Sequence, residues 1–256
     1  MIEDFCRTGY HVFPNAINKN QINDIHSDLL QLAHSISGNT PPPNDIDEFW
    51  NWCKENDRKK GSLLYNGFKR IPRIHKLAGS DEIRKTLSQI GISNPALIDI
   101  NCRIDSQGEE QYLFDWHQDY WFSMGSKNAI VIWVPVTKIT PALGGLDLID
   151  NTHTDGKIFK TKGGKKYKTY ADAVLLDEAI PTKQAITLNN LSPGDALVFR
   201  FNVLHKSNPI SSLDRSRFTI QLRFSDFNDP EFMESQFKAG VVNAERSDYI
   251  LRGNQK

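Results

Sequence analysis

The chain has 256 residues, which is long enough to bury a hydrophobic core without disulfides or a structural metal. Its 31 basic residues equal its 31 acidic residues, so no overall charge favours nucleic acid or an anionic membrane as a partner. Three cysteines, Cys6, Cys53 and Cys102, are scattered without metal-type spacing, as is typical of free thiols in a reducing compartment. The first 13 residues lack the basic start of a secretory signal, and no apolar run approaches membrane-spanning length. We therefore expect a cytoplasmic protein that binds neither nucleic acid nor membrane.

Helices are predicted for the N-terminal third of the chain. Residues 1–35 indicate two helices, because apolar side chains in the second recur at spacings of three and four. These apolar residues are Ile22, Ile25, Leu29, Leu32 and Ile36. The proline-rich stretch 37–45 predicts a loop. Shorter helices are expected over residues 45–57 and 80–91, the second capped by Ser80 and ended by Gly91.

From about residue 96 the pattern becomes that of β-strands. Residues 96–105 alternate apolar and polar side chains with a period of two, and residues 129–136 form a β-branched run typical of a buried strand. Further strands are predicted at 144–150, 185–190, 195–201 and 217–225, separated by Pro, Gly and Asn turns. We therefore predict a mainly β fold with N-terminal helices, most simply a jelly-roll or barrel.

Residues 114–122, FDWHQDYWF, place a polar His-Gln-Asp among aromatic rings. His117 and Asp119 are two residues apart, so on an extended strand their side chains would point to the same side. In apolar surroundings such a pair either hydrogen-bonds within the core or shares a metal ion. His205, beyond the strand at 195–201, is the candidate third ligand. Two histidines and one carboxylate would leave three metal positions open, which suits non-haem Fe(II).

Six short motifs follow one another between residues 96 and 225. They are HQD at 117–119, AIVIW ending at Trp133, GGLDLIDNTH at 144–153, PGDALVF at 193–199, HKS at 205–207 and RSRFTIQLRF at 215–224. In this order they resemble the phytanoyl-CoA dioxygenase family of Fe(II)- and 2-oxoglutarate-dependent oxygenases. The family's Pro-Gly before Thr-His is Asp150-Asn151 here, and asparagine tolerates the left-handed backbone that such a turn needs.

The resemblance implies a single domain spanning residues 1–256, built on a double-stranded β-helix (a cupin-like jelly-roll) packed by helices. Residues 1–95 would form mostly helical support and a substrate wall, residues 96–225 the β-helix core, and residues 226–256 a C-terminal extension. The resemblance also implies that His117, Asp119 and His205 bind Fe(II), with 2-oxoglutarate as co-substrate and dioxygen as oxidant.

Other residues are assigned to the co-substrate by their positions in the same motifs. The resemblance places Ser207 and Trp133 at the 2-oxoglutarate site. It places His153 after the turn, where we expect a structural or supporting residue outside the metal ligands. A guanidinium is expected to bind the distal carboxylate of 2-oxoglutarate through two parallel hydrogen bonds.

Arg215, Arg217 and Arg223 are the candidates for that guanidinium. The strand from Arg217 alternates polar and apolar residues, so its polar set is expected to face the barrel interior and its apolar set the N-terminal helices. Arg215 lies in a polar turn. Arg223 is six residues beyond Arg217, roughly 20 Å along a strand, which would place it too far from His205 to share one small ligand. Arg217 is therefore predicted to bind 2-oxoglutarate.

The implied reaction is hydroxylation of an unactivated C–H bond in a small-molecule metabolite, with conversion of 2-oxoglutarate to succinate and CO2. Two alternatives stay open: a Zn-type cupin hydrolase or isomerase, and a non-catalytic jelly-roll that binds a small molecule. The lysine-rich segment 157–168 is either a solvated hairpin or a basic flap over an anionic substrate. Residues 61–76 and the connection 153–184 are the expected walls of the substrate site.

Overall fold

Helices dominate the chain up to residue 89, and strands dominate after it. The structure is a computed structural model that describes residues 2–38, 44–120, 126–159 and 183–239, together with the backbone of 161–163 and 173–175. The helices are α1 (Ile2–Thr8), α2 (Lys19–Ser37), α3 (Ile46–Asn56), α4 (Arg58–Phe68), α5 (Pro72–Ala78), α6 (Asp81–Gln89) and α7 (Pro230–Glu234). The strands are β1 (Tyr10–Phe13), β2 (Pro95–Asp105), β3 (Ile130–Pro135), β4 (Leu146–Ile149), β5 (Thr161–Gly163), β6 (Ala173–Leu175), β7 (Ile186–Leu188), β8 (Ala196–Arg200), β9 (Leu204–Ser207) and β10 (Arg217–Asp226).

Capping side chains and apolar stripes account for the N-terminal helices. The Asn18 side chain accepts a hydrogen bond from the Asn20 amide at the start of α2, and the Ser80 hydroxyl caps α6 through the Ile83 amide, as predicted. The predicted stripe of α2 packs into the core cluster that the helices share with the main sheet. Along the described ranges, no helix combines the length and the apolar character needed to span a bilayer.

Two features of the N-terminal region were not predicted. Residues Tyr10–Phe13 form β1, which pairs with β8, so this region supplies an edge strand of the main sheet as well as helices. Helices α4 and α5 occupy residues 58–78, a region for which no individual helix was predicted. A four-residue strand is too short for its alternation of side chains to be recognised in the sequence. Its pairing partner lies about 186 residues away along the chain.

Two antiparallel sheets form the β-helix core. The five-stranded sheet has the order β1-β8-β3-β10-β2, and the three-stranded sheet has the order β7-β4-β9. The described backbone of β5 and β6 forms a separate two-stranded pair. This arrangement of antiparallel sheets packed by helices confirms the predicted fold class.

Strand β10 shows how the core separates its two faces. Its apolar residues Phe218, Ile220, Leu222 and Phe224 belong to the core cluster that contains the helices. Its polar residues take the opposite face, as predicted, because side chains alternate along a strand. A second apolar cluster joins that inner face to β4 of the smaller sheet, through residues such as Trp133 and Leu146. The polar residues of β10 therefore face the space between the two sheets.

Candidate metal centre

His117, Asp119 and His205 converge between the two sheets. One ligand atom from each residue lies within 4.8 Å of the others, and all three side chains are buried. The ring centroids of the two histidines are 4.1 Å apart, and Nε2 of His117 lies 3.8 Å from Oδ1 of Asp119. The three residues that the sequence singled out are thus brought together in a group able to hold one metal ion.

Backbone hydrogen bonds bring these residues into place. His205 lies on β9 and pairs with Leu148 of β4. His117 lies in an isolated bridge instead of the regular strand that its spacing suggested, and its amide and carbonyl exchange hydrogen bonds of 3.0 and 3.1 Å with His205. The Tyr120 amide donates to the Phe201 carbonyl at 3.1 Å, which fixes the segment on the other side of Asp119.

Each imidazole is held in the tautomer that binds a metal. Nδ1 of His117 donates to the Asp115 carbonyl at 2.6 Å, and Nδ1 of His205 donates to the Val203 carbonyl at 3.0 Å. Since a carbonyl oxygen only accepts, the proton of a neutral ring resides on Nδ1 and the lone pair on Nε2. Burial lowers the pKa of both imidazoles, that of His117 to about 3. Both rings are therefore neutral, as metal coordination requires.

Asp119 is ionised because the Arg223 guanidinium outweighs the effect of its burial. Burial raises the pKa of a carboxyl group, but the nearby Arg223 guanidinium holds the pKa of Asp119 below its usual range. Nη2 of Arg223 lies 3.5 and 3.4 Å from the two carboxylate oxygens. Two neutral imidazole nitrogens and one carboxylate oxygen form a donor set that fits Fe(II) and leaves coordination positions for other ligands.

A cavity of about 140 Å³ opens onto these three residues, and we call it the metal cavity. Its walls come from both sheets and from the segment 114–119. They are Asp99, Asn101, Arg103, Phe114, His117, Asp119, Trp133, Leu146, Phe199, His205, Ser207, Gln221 and Arg223. Ser207 and Trp133, both predicted for the co-substrate site, therefore lie in the same cavity as the metal ligands.

Arg217 is buried behind this wall and is not among the residues that line it. Its Nε and Nη2 donate to Asp105 at 3.3 and 3.1 Å. Its Nη1 donates to the carbonyls of Leu143, Gly145 and Asn208 at 3.1 to 3.2 Å. Gly145 and Asn208 directly precede and follow the lining residues Leu146 and Ser207 in the sequence. The guanidinium therefore stands one residue beyond the metal cavity, with its donors already engaged.

The expectation that Arg223 lies too far from His205 was wrong. Arg223 lines the metal cavity together with His205 and contacts Asp119. After His205 the chain reverses over residues 208–216 and returns along β10, as the Asn208 contact of Arg217 shows. Arg223, and not Arg217, therefore contacts Asp119 and lines the cavity with His205. Arg215 binds Asp45 and Asp47 near the start of α3, away from the cavity.

The turn after β4 matches its prediction. Asn151 has a φ of 61°, the left-handed conformation that the sequence required there. His153 lies outside the metal group, and its Nε2 donates to the Cys6 carbonyl at 2.9 Å. It thereby connects this turn to α1, which is consistent with a structural residue.

Sequence reasoning missed the role of Gln118, which lies between two candidate metal ligands, His117 and Asp119, and is fully buried. Its amide nitrogen donates to the carbonyls of Lys157 and Asn202 at 2.9 and 2.6 Å, and its oxygen accepts from the Phe159 amide at 2.8 Å. These bonds connect the metal-binding segment to two loops. The only signal in the sequence was its position between His117 and Asp119.

Two features discussed from the sequence lie outside the described residues. The rings of Trp121 and Phe122 are one of them. Half of the lysine-rich segment 157–168 is the other, namely residues 160 and 164–168, and of residues 161–163 only the backbone is described. The flap hypothesis therefore stays a prediction.

Solved structures share this fold at low sequence identity. The epimerase SnoN, in a complex with Fe3+, alpha ketoglutarate and nogalamycin RO, is 12% identical, with 96% of this chain and 95% of that chain covered and a TM-score of 0.59. The non-heme monooxygenase ThoJ in its apo form is 18% identical, with 88% of this chain and 76% of that chain covered and a TM-score of 0.60.

Sequence comparison identifies the family. A curated relative, 1-deoxypentalenic acid 11-beta-hydroxylase of Streptomyces exfoliatus, is 25% identical over 103 residues, which are 40% of this chain. The match spans only 36% of that relative's length. The family model described as phytanoyl-CoA dioxygenase (PhyH) matches residues 5–219, most of the chain. The chain therefore belongs to the phytanoyl-CoA dioxygenase (PhyH) family, whose cofactors are iron and 2-oxoglutarate.

Proposed function

We propose that the protein is an Fe(II)- and 2-oxoglutarate-dependent oxygenase that hydroxylates an unactivated C–H bond of a small-molecule metabolite. The observation that carries this proposal is the buried group of His117, Asp119 and His205, with both Nε2 atoms unprotonated at the wall of a cavity. When bound, iron supplies the redox chemistry that couples oxidation of the metabolite by dioxygen to conversion of 2-oxoglutarate into succinate and CO2.

A buried charge cluster supports binding of an anionic co-substrate. Arg103, Asp105 and Arg217 are all buried, and both guanidiniums contact the one carboxylate. Two cations and one anion leave one positive charge, which a carboxylate placed at this end of the cavity would balance. We assign the distal carboxylate of 2-oxoglutarate to this cluster, with Arg217 as its guanidinium. Because the donors of Arg217 are engaged by Asp105 and by three backbone carbonyls, the co-substrate must displace some of these contacts when it binds. Ser207 and Trp133 line the cavity beside it.

Aromatic rings restrict water at the metal ligands. The Phe114 ring lies 5.1 Å from the His117 ring, and the Phe199 ring lies 4.6 Å from the His205 ring, measured between centroids. A site that oxidises C–H bonds benefits from this enclosure, because excluded water cannot intercept the reaction. Among the described rings of the FDWHQDYWF segment, Phe114 thus shields the candidate metal site, whereas Trp116 and Tyr120 pack in apolar clusters.

The alternative of a zinc hydrolase or isomerase would use the same three ligands. The charge cluster of Arg103, Asp105 and Arg217 favours the oxygenase, because hydrolysis at zinc needs no second anion site next to the metal cavity. The same cluster argues against a non-catalytic binding protein, which has no need for an open-sided metal site.

Anaerobic titration with Fe(II) and 2-oxoglutarate tests the proposal. An oxygenase of this type should develop a weak visible charge-transfer band at about 500 nm, which zinc cannot give. Succinate release in air against a library of metabolites then identifies the substrate. Absence of the band at saturating Fe(II) and 2-oxoglutarate, in protein shown to be folded, would overturn the proposal.

A further inference from the structure

The metal cavity is too small to hold both co-substrate and metabolite. Its volume is about 140 Å³, whereas cavities that bind one small molecule commonly measure roughly 300–1,000 Å³. If 2-oxoglutarate occupies it, as proposed above, most of a metabolite must lie elsewhere. A second cavity, of about 380 Å³, shares the residue Arg103 with the first.

This second cavity, which we call the helix-side cavity, lies at the edge of the main sheet. It is formed by α3, α4, the edge strand β2 and the segment that follows β2. Its walls are Trp50, Lys54, Arg58, Gly61, Ser62, Tyr65, Asn66, Arg103, Ile104, Glu109 and Tyr112. Helix α4 buries Leu64 and Phe68 against the core and turns Gly61, Ser62, Tyr65 and Asn66 toward this space.

The charges that line this cavity favour an anion. Lys54, Arg58 and Arg103 provide three positive charges, and Glu109 provides one negative charge. Arg58 pairs with Glu109, and Arg103 is bound by Asp105. Among the described residues Lys54 has no carboxylate partner, and its ammonium makes one long contact of 3.5 Å with the Gln107 carbonyl. Lys54 is therefore the cation available to a ligand.

Aromatic residues supply the remaining walls. The rings of Trp50, Tyr65 and Tyr112 face the cavity, with Ile104 from β2 among them. Trp50 is held in place because its Nε1 donates to the Ser106 hydroxyl at 3.1 Å. Such walls bury a flat or apolar ligand body, while a few polar groups fix its orientation.

Arg103 forms the boundary between the two cavities. It is 5% exposed, donates to the Tyr112 carbonyl at 2.8 Å, and lies 4.9 Å from the centre of the Phe114 ring. A ligand in the helix-side cavity is therefore one side chain away from the cavity that contains the metal ligands.

We propose that the helix-side cavity is the binding site of the prime substrate and that it selects an aromatic or apolar carboxylate. Lys54 binds the carboxylate, the aromatic walls bind the body, and the part of the substrate nearest Arg103 enters the metal cavity when the Arg103 side chain shifts aside. This inference rests on the proposed oxygenase function and adds the class of substrate. Within the substrate wall predicted at 61–76, it assigns substrate contact to three residues of α4: Ser62, Tyr65 and Asn66.

Fluorine NMR can test the site without knowledge of the natural substrate. The probes are fluorinated aromatic and aliphatic carboxylates of increasing length, each paired with its neutral amide, added to protein loaded with 2-oxoglutarate and either Zn(II) or Mn(II). We expect at least one carboxylate to bind about tenfold more tightly than its amide, because the neutral amide lacks the charge-assisted hydrogen bond. Paramagnetic Mn(II) should broaden its fluorine signal, whereas Zn(II) should not.

Two variants locate the binding. Lys54→Gln should weaken carboxylate binding about tenfold and leave amide binding unchanged, because only the charged contact is lost. Ser62→Trp should block both probes by filling the cavity. Lys59→Gln, an exposed lysine on α4 that does not line the cavity, is the matched control and should change neither. The inference is overturned if no carboxylate binds. It is also overturned if neither Lys54→Gln nor Ser62→Trp changes the affinity for the carboxylates.

The Fe(II) and 2-oxoglutarate absorption band distinguishes this inference from the proposed function. If the band forms in the wild type and in both variants while probe binding does not depend on the cavity, the substrate site is wrong and the function stands. If the probes bind as expected and the band never forms, the cavity binds carboxylates and the oxygenase function is wrong.

Discussion

The Arg223 guanidinium lies 3.4 Å from the carboxylate of Asp119, and both side chains are at least nine-tenths buried. Arg223 also donates to the Gln221 side chain at 3.0 Å and lies 3.6 Å from Asp99. Its Nε is buried without a partner in the described part of the chain. The protein thus neutralises a metal-binding carboxylate with its own cation, and a metal ion would take over part of that role.

Arg223→Gln should destabilise the metal-free protein more than the metal-loaded protein. Loss of one partner of a buried ion pair costs about 3–5 kcal/mol, because the other charge stays buried. A bound divalent ion would compensate Asp119 directly. We therefore expect a larger rise in Tm on addition of Ni(II) in the variant than in the wild type. Arg215→Gln, which changes an exposed arginine, is the control, and an equal rise in all three proteins would contradict this role for Arg223.

His117→Ala, Asp119→Ala and His205→Ala should each abolish coupled turnover while the protein stays folded. Each change removes one of three donors, and none of these side chains belongs to the apolar core clusters. Anaerobic Fe(II) titration measures metal binding, and circular dichroism shows separately whether the variant is folded. His153→Ala should retain iron binding, since His153 lies outside the group. Full activity in any of the first three variants would remove that residue from the metal site.

Arg217→Ala should raise the KM for 2-oxoglutarate by roughly 10- to 100-fold, the loss of a charge-assisted pair worth about 1.5–3 kcal/mol. Arg217→Lys should restore only part of this affinity, because a point charge cannot reproduce the paired hydrogen bonds of a guanidinium. Arg217 is fully buried, so the alanine variant can fail to fold. In that case the lysine variant is used to measure the KM for 2-oxoglutarate. If Arg223→Gln raises this KM and Arg217→Lys leaves it unchanged, the co-substrate arginine is Arg223.

Only Cys6 should react with iodoacetamide in the native protein at neutral pH. Cys6 is exposed, whereas Cys53 and Cys102 are buried. Burial raises the pKa of the Cys53 thiol to about 11 and raises that of Cys102 still further, so both stay as unreactive thiols. Mass spectrometry should show one modification per native chain and three after unfolding. A native Cys6→Ser variant that still gains a label would show that a buried cysteine is accessible.

Local pattern was sufficient to predict most of the strands and the three residues that converge between the two sheets. Alternation along β2 and β10 follows from the geometry of a strand, whatever lies next to it, so the apolar face of β10 could be assigned to the helices from sequence. The ordered motifs located His117, Asp119 and His205. A metal site requires particular side chains, and proteins of one fold place them at corresponding positions in the sequence.

Tertiary structure decided which arginine lies beside the metal ligands, where β1 pairs, and what Gln118 binds. Arg217 and Arg223 share one face of β10, so periodicity alone cannot distinguish them. What distinguishes them is the direction in which the chain returns after residues 208–216, which brings Arg223 to Asp119 and leaves Arg217 with Asp105. Such contacts depend on how distant segments pack against each other, and a local sequence pattern carries no information about that packing.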